Sequence, residues 1–326
     1  MNDTAGGEVD NDGLITRRQA LGRTVLLSGG ALLLWEARSS GSAQGAQPDL
    51  LAQRRAQAGA VPIATRQLTD TLVLLSGPGG NVAVLKGTDG LVVVDTFVQP
   101  AWPALRKVLD GIGGSPRAAI NTHWHYDHAD NNAGLRAAGA AVLAHTNTAK
   151  RLSERHEILG MRIEPAPEAG RPTQTFASSH RLEANGENIE LGAFAPAHTD
   201  TDIYVRFPKA NVLHLGDTYF NGGYPFIDTV TGGRIGGMIT AADRAISLAD
   251  SSTRIIPGHG PLGDLKTLTT YRDMLILVRD RVQKLKTAGR TLEEVLAAKP
   301  TTDLDPTWGK GFLTPDMFVT LVYNTL

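Results

Sequence analysis

The chain has 326 residues, enough to bury a large core in one big domain or two smaller ones. Its 32 basic and 33 acidic residues leave a net charge of −1, which argues against nucleic-acid binding because such binding needs a basic surface. The absence of cysteine excludes disulfides, thiolate metal ligands and a cysteine nucleophile. Any bound metal must therefore be held by nitrogen and oxygen atoms.

The first 43 residues have the layout of a bacterial export signal. Two adjacent arginines, Arg17 and Arg18, precede an apolar run over residues 25–35 and a small, polar stretch over residues 39–43. Paired arginines are typical of the twin-arginine type of signal. The apolar run of about 11 residues is shorter than the roughly 20 that span a bilayer. We therefore expect removal of residues 1–43, a periplasmic protein and no stable membrane span after processing; an uncleaved membrane anchor is the alternative.

Short apolar runs follow a segment over residues 44–67 that we expect to be a linker, with a first turn of helix as the alternative. The runs at residues 71–75, 82–85 and 91–94 are separated by glycine-rich turns, which predicts three strands in a meander. Apolar residues then recur at helical spacing over residues 100–112 and predict a helix that ends at a pair of glycines.

A dense group of polar side chains follows the next apolar run. Residues 117–120 read as a short buried strand, and residues 123–128 read His-Trp-His-Tyr-Asp-His. Neutral imidazole and carboxylate together suit zinc or a similar first-row metal. A loop at the end of a strand holds such donors rigidly, as a catalytic metal site requires. The segment therefore indicates a metal site, with a surface histidine cluster as the alternative.

Strands and helices alternate beyond this group, which is typical of the α/β class. We expect short helices over residues 135–139 and 240–249, the second with Thr240 as its N-cap, strands at residues 141–143, 188–191, 202–205, 211–215 and 254–256, and a surface loop over residues 160–180.

The pattern becomes helical from Thr269 to the end of the chain. Apolar residues share one helix face up to Gly289, Thr291 and Glu294 match a capping box, and Thr314 precedes a proline that opens a further helix. The sequence therefore predicts a main α/β domain over residues 68–268 and a C-terminal helical extension over residues 269–326.

Three more candidate ligands lie downstream of the histidine-rich segment. His198, Asp217 and His259 each sit just past an apolar run or in a loop, and glycines beside Asp217 and His259 allow tight turns at strand ends. Taken alone, each is as well explained as an ordinary polar residue. Together with the segment at residues 123–128, they give five histidines and two aspartates, which could form two adjacent metal sites.

The motif His-x-His-x-Asp-His at residues 123–128, followed in order by His198, Asp217 and His259, resembles the metallo-β-lactamase superfamily over roughly residues 68–265. The resemblance implies an αββα sandwich with two metals at one edge between its sheets. It further implies that Asp95 supports the site without binding metal. By the same resemblance, the first metal would be bound by His123, His125 and His198, the second by Asp127, His128 and His259, and both by a bridging Asp217.

Two cations about 3.5–4 Å apart share a bridging water and lower its pKa from near 16 toward about 7. The resulting metal-bound hydroxide needs no side-chain base, and one cation also polarises the substrate carbonyl. Asp127, beside the water, is the candidate catalytic residue, because it could carry a proton to the leaving group.

The chain departs from one subclass of antibiotic-degrading enzymes. That subclass has a cysteine ligand near the position of Asp217 and a lysine three residues later, where this chain has Phe220. The aspartate pattern is more similar to glyoxalase II, lactonases and other hydrolases of the superfamily. Glutathione and coenzyme A thioesters are mainly cytosolic, so a periplasmic location favours β-lactams and lactones as substrates.

The sequence thus predicts an exported dinuclear zinc hydrolase that cleaves a carbonyl bond in a small cyclic amide or ester, with iron or manganese as other metals for the site. One alternative is a periplasmic metal-binding accessory protein with little turnover, and another is a di-iron redox protein. The loop over residues 221–226 is expected near Asp217, either to shape the pocket or to serve as a linker. Tyr126 is a candidate for substrate contact or for packing, and Arg234 and Lys310 are either anchors for an anionic substrate or solvated charges.

Overall fold

Two β-sheets packed face to face form the centre of the fold, and helices cover their outer faces. The computed structural model describes residues 49–326, so the export signal expected over residues 1–43 lies outside the described residues. The strands in the described part are β1 (Ala64–Gln67), β2 (Leu72–Gly77), β3 (Gly80–Leu85), β4 (Leu91–Val94), β5 (Pro116–Ile120), β6 (Ala141–His145), β7 (His156–Ile158), β8 (Met161–Ile163), β9 (Gln174–Phe176), β10 (Ser179–Ala184), β11 (Glu187–Ala193), β12 (Ile203–Phe207), β13 (Val212–His214) and β14 (Arg254–Ile256).

The helices begin before the first sheet and continue to the end of the chain. They are α1 (Leu50–Gly59), α2 (Trp102–Ile112), α3 (Tyr126–Ala129), α4 (Asn132–Ala137), α5 (Thr146–Leu152), α6 (Ile235–Leu248), α7 (Leu265–Thr287), α8 (Leu292–Ala297), α9 (Asp305–Trp308) and α10 (Pro315–Asn324).

The larger sheet has the strand order β1-β2-β3-β4-β5-β6-β9, and the smaller one has the order β10-β11-β12-β13-β14. The meander predicted for the first three apolar runs is confirmed, because β2, β3 and β4 pair antiparallel. Strands β4, β5, β6 and β9 pair in parallel, as do β13 and β14. Strands β7 and β8 form a separate hairpin.

Alternating side chains explain why the strands read as unbroken apolar runs. In β2, Leu72 and Leu74 face a core shared with the smaller sheet, whereas Val73 and Leu75 face the side covered by α2. Because successive residues of a strand point to opposite faces, a strand buried on both faces needs apolar residues at every position. The predicted αββα sandwich of the α/β class is confirmed.

The C-terminal helices cover the outer face of the smaller sheet. The apolar face predicted from residue 269 onward is buried there, with Tyr271, Leu275 and Val278 packed in one cluster with Leu213 and Ile255 of the sheet. The predicted capping box of Thr291 and Glu294 begins α8, and Thr314 caps α10 through the backbone N–H of Met317. A further capping box, from Asp264 and Thr267, starts α7 at Leu265.

The prediction that Thr240 caps its helix is wrong. Helix α6 begins at Ile235, and the Thr240 hydroxyl lies inside it, donating to the Gly236 carbonyl at 3.0 Å. The glycines at the true start obscure the helical pattern. Only Gly237 is required by packing, because a Cβ there would lie 1.8 Å from the Pro196 carbonyl oxygen, whereas a Cβ at Gly236 would meet no atom within 4 Å.

The surface loop expected over residues 160–180 is also only partly present. The stretch contains β8, β9 and the beginning of β10, each formed by few residues, most of them polar or exposed. Such short strands lack the apolar alternation that identifies longer ones. The segment expected as a linker over residues 44–67 contains α1 and β1 in its described part.

Between residues 49 and 326, none of the helices combines the length and the apolar character that a membrane crossing requires.

Candidate metal centre

Donor side chains converge where four central strands end. The segment at residues 123–128 follows β5, Asp95 follows β4, Asp217 follows β13 and His259 follows β14. The two groups that could each hold a metal ion are His123, His125, His198 and Asp217, and Asp127, His128 and His259. In each group the donor atoms lie within 4.8 Å of one another. The structure thus brings together all seven residues that the sequence predicts as ligands.

Asp217 faces both groups. Its Oδ2 lies 3.6 Å from His198 Nε2 in the first group and 3.3 Å from His259 Nε2 in the second, and its Oδ1 lies 3.2 Å from His128 Nε2. Burial would raise the pKa of this carboxyl, but His259, His128 and His123 around it lower the pKa well below its ordinary value. Asp217 is therefore ionised at neutral pH.

The donor set suits cations because two of its buried atoms make no hydrogen bond. Among the described residues, His123 Nε2 and Asp217 Oδ1 are buried without a hydrogen bond. An unsatisfied buried polar atom costs about 1–3 kcal/mol, so such atoms are rare unless a ligand uses them. The imidazoles and carboxylates of the two groups form the nitrogen and oxygen environment that zinc and related metals prefer.

The tautomers of His125 and His198 lead to the same conclusion. His125 Nε2 donates to Asp228 Oδ2 at 3.0 Å, and His198 Nδ1 donates to the Phe226 carbonyl at 2.8 Å. In neutral rings, the other nitrogens then carry lone pairs, and these two nitrogens face each other at 2.9 Å. Burial lowers the pKa of His198 to about 4, so its ring is neutral at pH 7, as a metal-binding imidazole must be.

Asp95 supports the centre in the way that the resemblance implies. Its Oδ1 accepts from the Thr122 backbone N–H at 2.7 Å, and its Oδ2 accepts from the Thr122 hydroxyl and from His128 Nδ1, both at 2.8 Å. Asp95 therefore fixes the start of the histidine-rich segment and the orientation of the His128 ring. Its backbone has a φ of +65°, an uncommon conformation for a residue with a side chain.

Asp228 is a supporting residue that sequence reasoning missed. It accepts from His125 Nε2, from the Thr231 hydroxyl and from the Val230 backbone N–H. Burial would raise the pKa of its carboxyl, but the hydrogen bonds from His125 and Thr231 outweigh burial and lower the pKa to about 2. Asp228 lies 103 positions from its histidine partner in no motif, so only the folded chain reveals this role.

A cavity of about 610 Å³ opens above the donor groups; we call it the site cavity. His125, Asp127, Asp217 and His259 form its floor. The predicted loop over residues 221–226 contributes to its wall, as does Tyr126. Its volume is within the range of pockets that bind small molecules, about 300–1,000 Å³.

Several predicted or neighbouring residues lie elsewhere. Trp124 is a packing residue, since it is buried and donates from Nε1 to the Thr231 hydroxyl at 3.2 Å. Arg234 and Lys310 are not among the residues that line the site cavity. The wall instead includes Arg54 from α1 and the hairpin of β7 and β8, neither of which the sequence indicated.

Three of the four histidines outside the two donor groups make structural contacts. His145 caps α5 by accepting from the Asn147 backbone N–H, and His156 packs against Trp124 with ring centroids 4.4 Å apart. His214 is buried and accepts from the Gly216 backbone N–H at 3.1 Å. None of these three histidines belongs to either donor group.

Comparison with known proteins points to one family. A family model described as the metallo-beta-lactamase superfamily matches residues 75–271. A protein of Mycobacterium tuberculosis, described as uncharacterized, is 28% identical over 186 residues, which are 53% of this chain and 81% of its own length. A protein of Mycobacterium bovis with the same description matches to the same extent.

Solved structures share the fold. A metallo-beta-lactamase from Pontibacter korlensis is similar with a TM-score of 0.54 and 17% identity, covering 65% of this chain and 98% of that one. The DIM-1 metallo-beta-lactamase is similar with a TM-score of 0.53 and 22% identity, covering 66% of this chain and 98% of that one.

Proposed function

The chain belongs to the metallo-beta-lactamase superfamily, and from that premise we propose that it is an exported hydrolase with two zinc ions, which cleaves a carbonyl bond in a small cyclic amide or ester. The observation that carries this proposal is the pair of donor groups with Asp217 between them, in which His123 Nε2 and Asp217 Oδ1 are buried without a hydrogen bond among the described residues.

The residues divide between two metals. His123, His125 and His198 would hold the first, Asp127, His128 and His259 the second, and Asp217 both. When bound, such a pair of cations lowers the pKa of a coordinated water and polarises the carbonyl that it faces. Nitrogen and oxygen donors also suit iron or manganese, so zinc is the first metal to test and not the only one.

Asp127 is placed to move a proton. Its carboxylate lies on the floor of the site cavity, with Oδ2 3.4 Å from His259 Nε2 and 3.7 Å from His128 Nε2. It is partly exposed to the site cavity, so a substrate can reach it. We assign it the transfer of the proton lost by the attacking water to the departing nitrogen or oxygen atom of the substrate.

Residues around the ligands keep the imidazoles in one tautomer and one orientation. Asp228 holds His125, Asp95 holds His128, and the Phe226 carbonyl holds His198, each by accepting from the ring nitrogen that points away from the centre. Such partners usually change metal affinity or activity by about 10–100-fold when removed.

The substrate follows from location and cavity size. An exported enzyme would encounter β-lactams and lactones, and a cavity of about 610 Å³ accommodates molecules of that size. Phe220 packs its ring against His259 with centroids 5.1 Å apart. This apolar contact stands where one subclass of antibiotic-degrading enzymes has a cation, so substrate recognition must differ from theirs.

The test combines metal analysis with a substrate panel. Purified protein is analysed for metal, loaded with zinc, and assayed with nitrocefin, acyl-homoserine lactones and simple esters. We expect about two metal ions per chain and turnover of at least one substrate class, lost on chelation and restored by zinc. Full activity in the metal-stripped protein would refute the proposal. No turnover across the panel, with tight binding to a partner protein, would favour the accessory role.

Substitutions of the predicted metal ligands test the same proposal more directly. Asp217→Ala and His125→Ala are each expected to abolish turnover and to lower the bound metal below two ions per chain, because each removes a donor atom from the first group. His180→Ala on β10 is the matched control, since that histidine lies outside both donor groups. Unchanged metal content in both variants would contradict the ligand assignment.

A further inference from the structure

The site cavity has a mainly apolar wall and a single permanent positive charge. Six of its apolar wall residues are Ile158, Leu159, Met161, Ile163, Phe226 and Phe312. Two of these, Leu159 and Phe312, are more than one-third exposed. Large exposed apolar side chains beside a cavity commonly mark a ligand-contact surface. The wall therefore suits a substrate with an apolar body.

The positive charge is the guanidinium of Arg54. Within residues 49–326, Arg54 is the one lysine or arginine that lines the site cavity. Its guanidinium carbon lies 5.3 Å from the centroid of the Phe312 ring. Stacking on an aromatic face holds a guanidinium in place while its N–H edges stay free for a planar anion.

The helix that carries Arg54 is fixed to the wall of the site cavity. Arg55, the next residue, donates two hydrogen bonds to Asp130, at 2.7 and 2.6 Å. Leu51 is buried in one cluster with Trp124, Ile158 and Met161. Arg55 thus has a carboxylate partner, whereas Arg54 has no ion pair among the described residues.

We propose that Arg54 is the anion-binding, specificity-determining residue of the site cavity, and that the substrate carries a carboxylate or similar oxyanion on an apolar body. The statement that the bound anion is a substrate rests on the proposed function, whereas the binding of an anion by Arg54 does not. With the scissile carbonyl at the floor, beside Asp127 and Asp217, the anionic end of the substrate would reach Arg54 at the wall. Because α1 precedes the residues that match the family, this recognition belongs to a segment of this chain outside the family match.

A pair of dyes tests the binding without any turnover. The fluorescent anion 8-anilinonaphthalene-1-sulfonate and the neutral N-phenyl-1-naphthylamine share one ring system and differ by the sulfonate. Arg54→Gln is expected to weaken the anionic dye about fivefold, the effect of roughly 1 kcal/mol for an exposed charge pair, and to leave the neutral dye unchanged. Arg181→Gln, an exposed arginine on β10 outside the site cavity, is the matched control and should change neither.

The dye titrations also separate recognition from packing. Leu159→Asp, at the exposed turn between β7 and β8, should weaken both dyes because it places a charge in the apolar wall. An equal loss of both dyes in Arg54→Gln would overturn the proposal, since it would show that Arg54 only supports Phe312. An unchanged affinity for the anionic dye in Arg54→Gln, or dye binding that Leu159→Asp does not weaken, would also overturn it.

A second arm uses turnover by the zinc-loaded protein. Mono-4-nitrophenyl glutarate and 4-nitrophenyl pentanoate have acyl chains of equal length and differ by the terminal carboxylate. Arg54→Gln should raise KM for the glutarate ester about fivefold with kcat retained, and should leave the pentanoate unchanged. Equal effects on both esters would contradict the assignment of Arg54. Turnover of neither ester by the unaltered protein would count against the proposed function, while the dye titrations still decide the role of Arg54.

Discussion

At the scale of single residues, the centre depends on carboxylates that bind no substrate. Asp228 shows this most clearly, because it holds the His125 ring through Nε2 and is itself held by Thr231 and the Val230 backbone N–H. Neutral imidazoles with a fixed inward lone pair are what a metal ligand requires. Residues such as Asp228 therefore decide how well the predicted ligands can bind.

Asp228→Asn is expected to weaken zinc binding by about 10–100-fold while the fold is kept, because the amide has a similar shape but one of its two acceptor atoms becomes a donor. The measurement is zinc affinity by competition with a chromophoric chelator, with circular dichroism as the check on folding. Zinc affinity equal to that of the unaltered protein would show that His125 needs no such support.

Asp202 is a buried carboxyl whose protonation makes the stability of the fold depend on pH. Burial raises the pKa of its carboxyl to about 7, despite hydrogen bonds from the Thr199 hydroxyl and backbone N–H. In the unfolded chain the pKa of an aspartate is about 3.9. Between about pH 4 and pH 7 the folded protein therefore binds more protons than the unfolded chain, so the contribution of Asp202 to the free energy of unfolding falls as pH rises.

Asp202→Asn should remove this pH dependence, since its amide can still accept from the Thr199 backbone N–H and donate to the Thr199 hydroxyl without titrating. We expect the variant to gain stability relative to the parent on going from pH 5 to pH 7.5. Urea unfolding of the metal-free proteins at the two pH values measures this. A parent and a variant with the same pH dependence would contradict the raised pKa of Asp202.

At the scale of secondary-structure elements, helix α1 completes the wall of the site cavity. The helix contacts the rest of the fold through buried Leu51 and through the ion pair of Arg55 with Asp130, whose carboxylate also accepts from the Gln99 backbone N–H. Asp130 is only 10% exposed, so removal of its partner leaves a largely buried charge. The position of α1 therefore depends on this pair.

Arg55→Met should loosen α1 with little effect on the sheets. We expect amide hydrogen exchange of residues 50–59 to become about tenfold faster, which corresponds to roughly 1.4 kcal/mol of local stability. Arg106→Met on α2 is the control, because its pair with Asp110 is exposed and within one helix. Unchanged protection of α1 in Arg55→Met would show that Leu51 alone holds the helix.

The elements that the sequence predicted are those with strong local patterns. Strands β2, β3 and β4 are buried on both faces and therefore appear as unbroken apolar runs, and the capping box at Thr291 is a local signal. Hairpin β7–β8 has only three residues in each strand, and α1 is mostly exposed. Their places are set by contacts distant in sequence, which a pattern of neighbouring residues does not contain.

At the scale of the whole molecule, the sandwich explains why ligands far apart in sequence meet. Strands β4 and β5 of one sheet and β13 and β14 of the other end near the same edge, and each is followed directly by ligand or supporting residues. The rigid sheets limit the movement of these donors. The histidine-rich motif and the family resemblance predicted the donors, whereas the apolar wall and Arg54 became visible only in the folded chain.

The central claim is that these seven side chains hold a pair of metal ions, and the most direct test is a crystal structure of the zinc-loaded protein with anomalous diffraction at the zinc edge. We predict two anomalous peaks, one within about 2.0–2.2 Å of His123, His125 and His198 and one within the same distance of Asp127, His128 and His259, with Asp217 bound to both. A single peak, or peaks away from these side chains, would contradict the account.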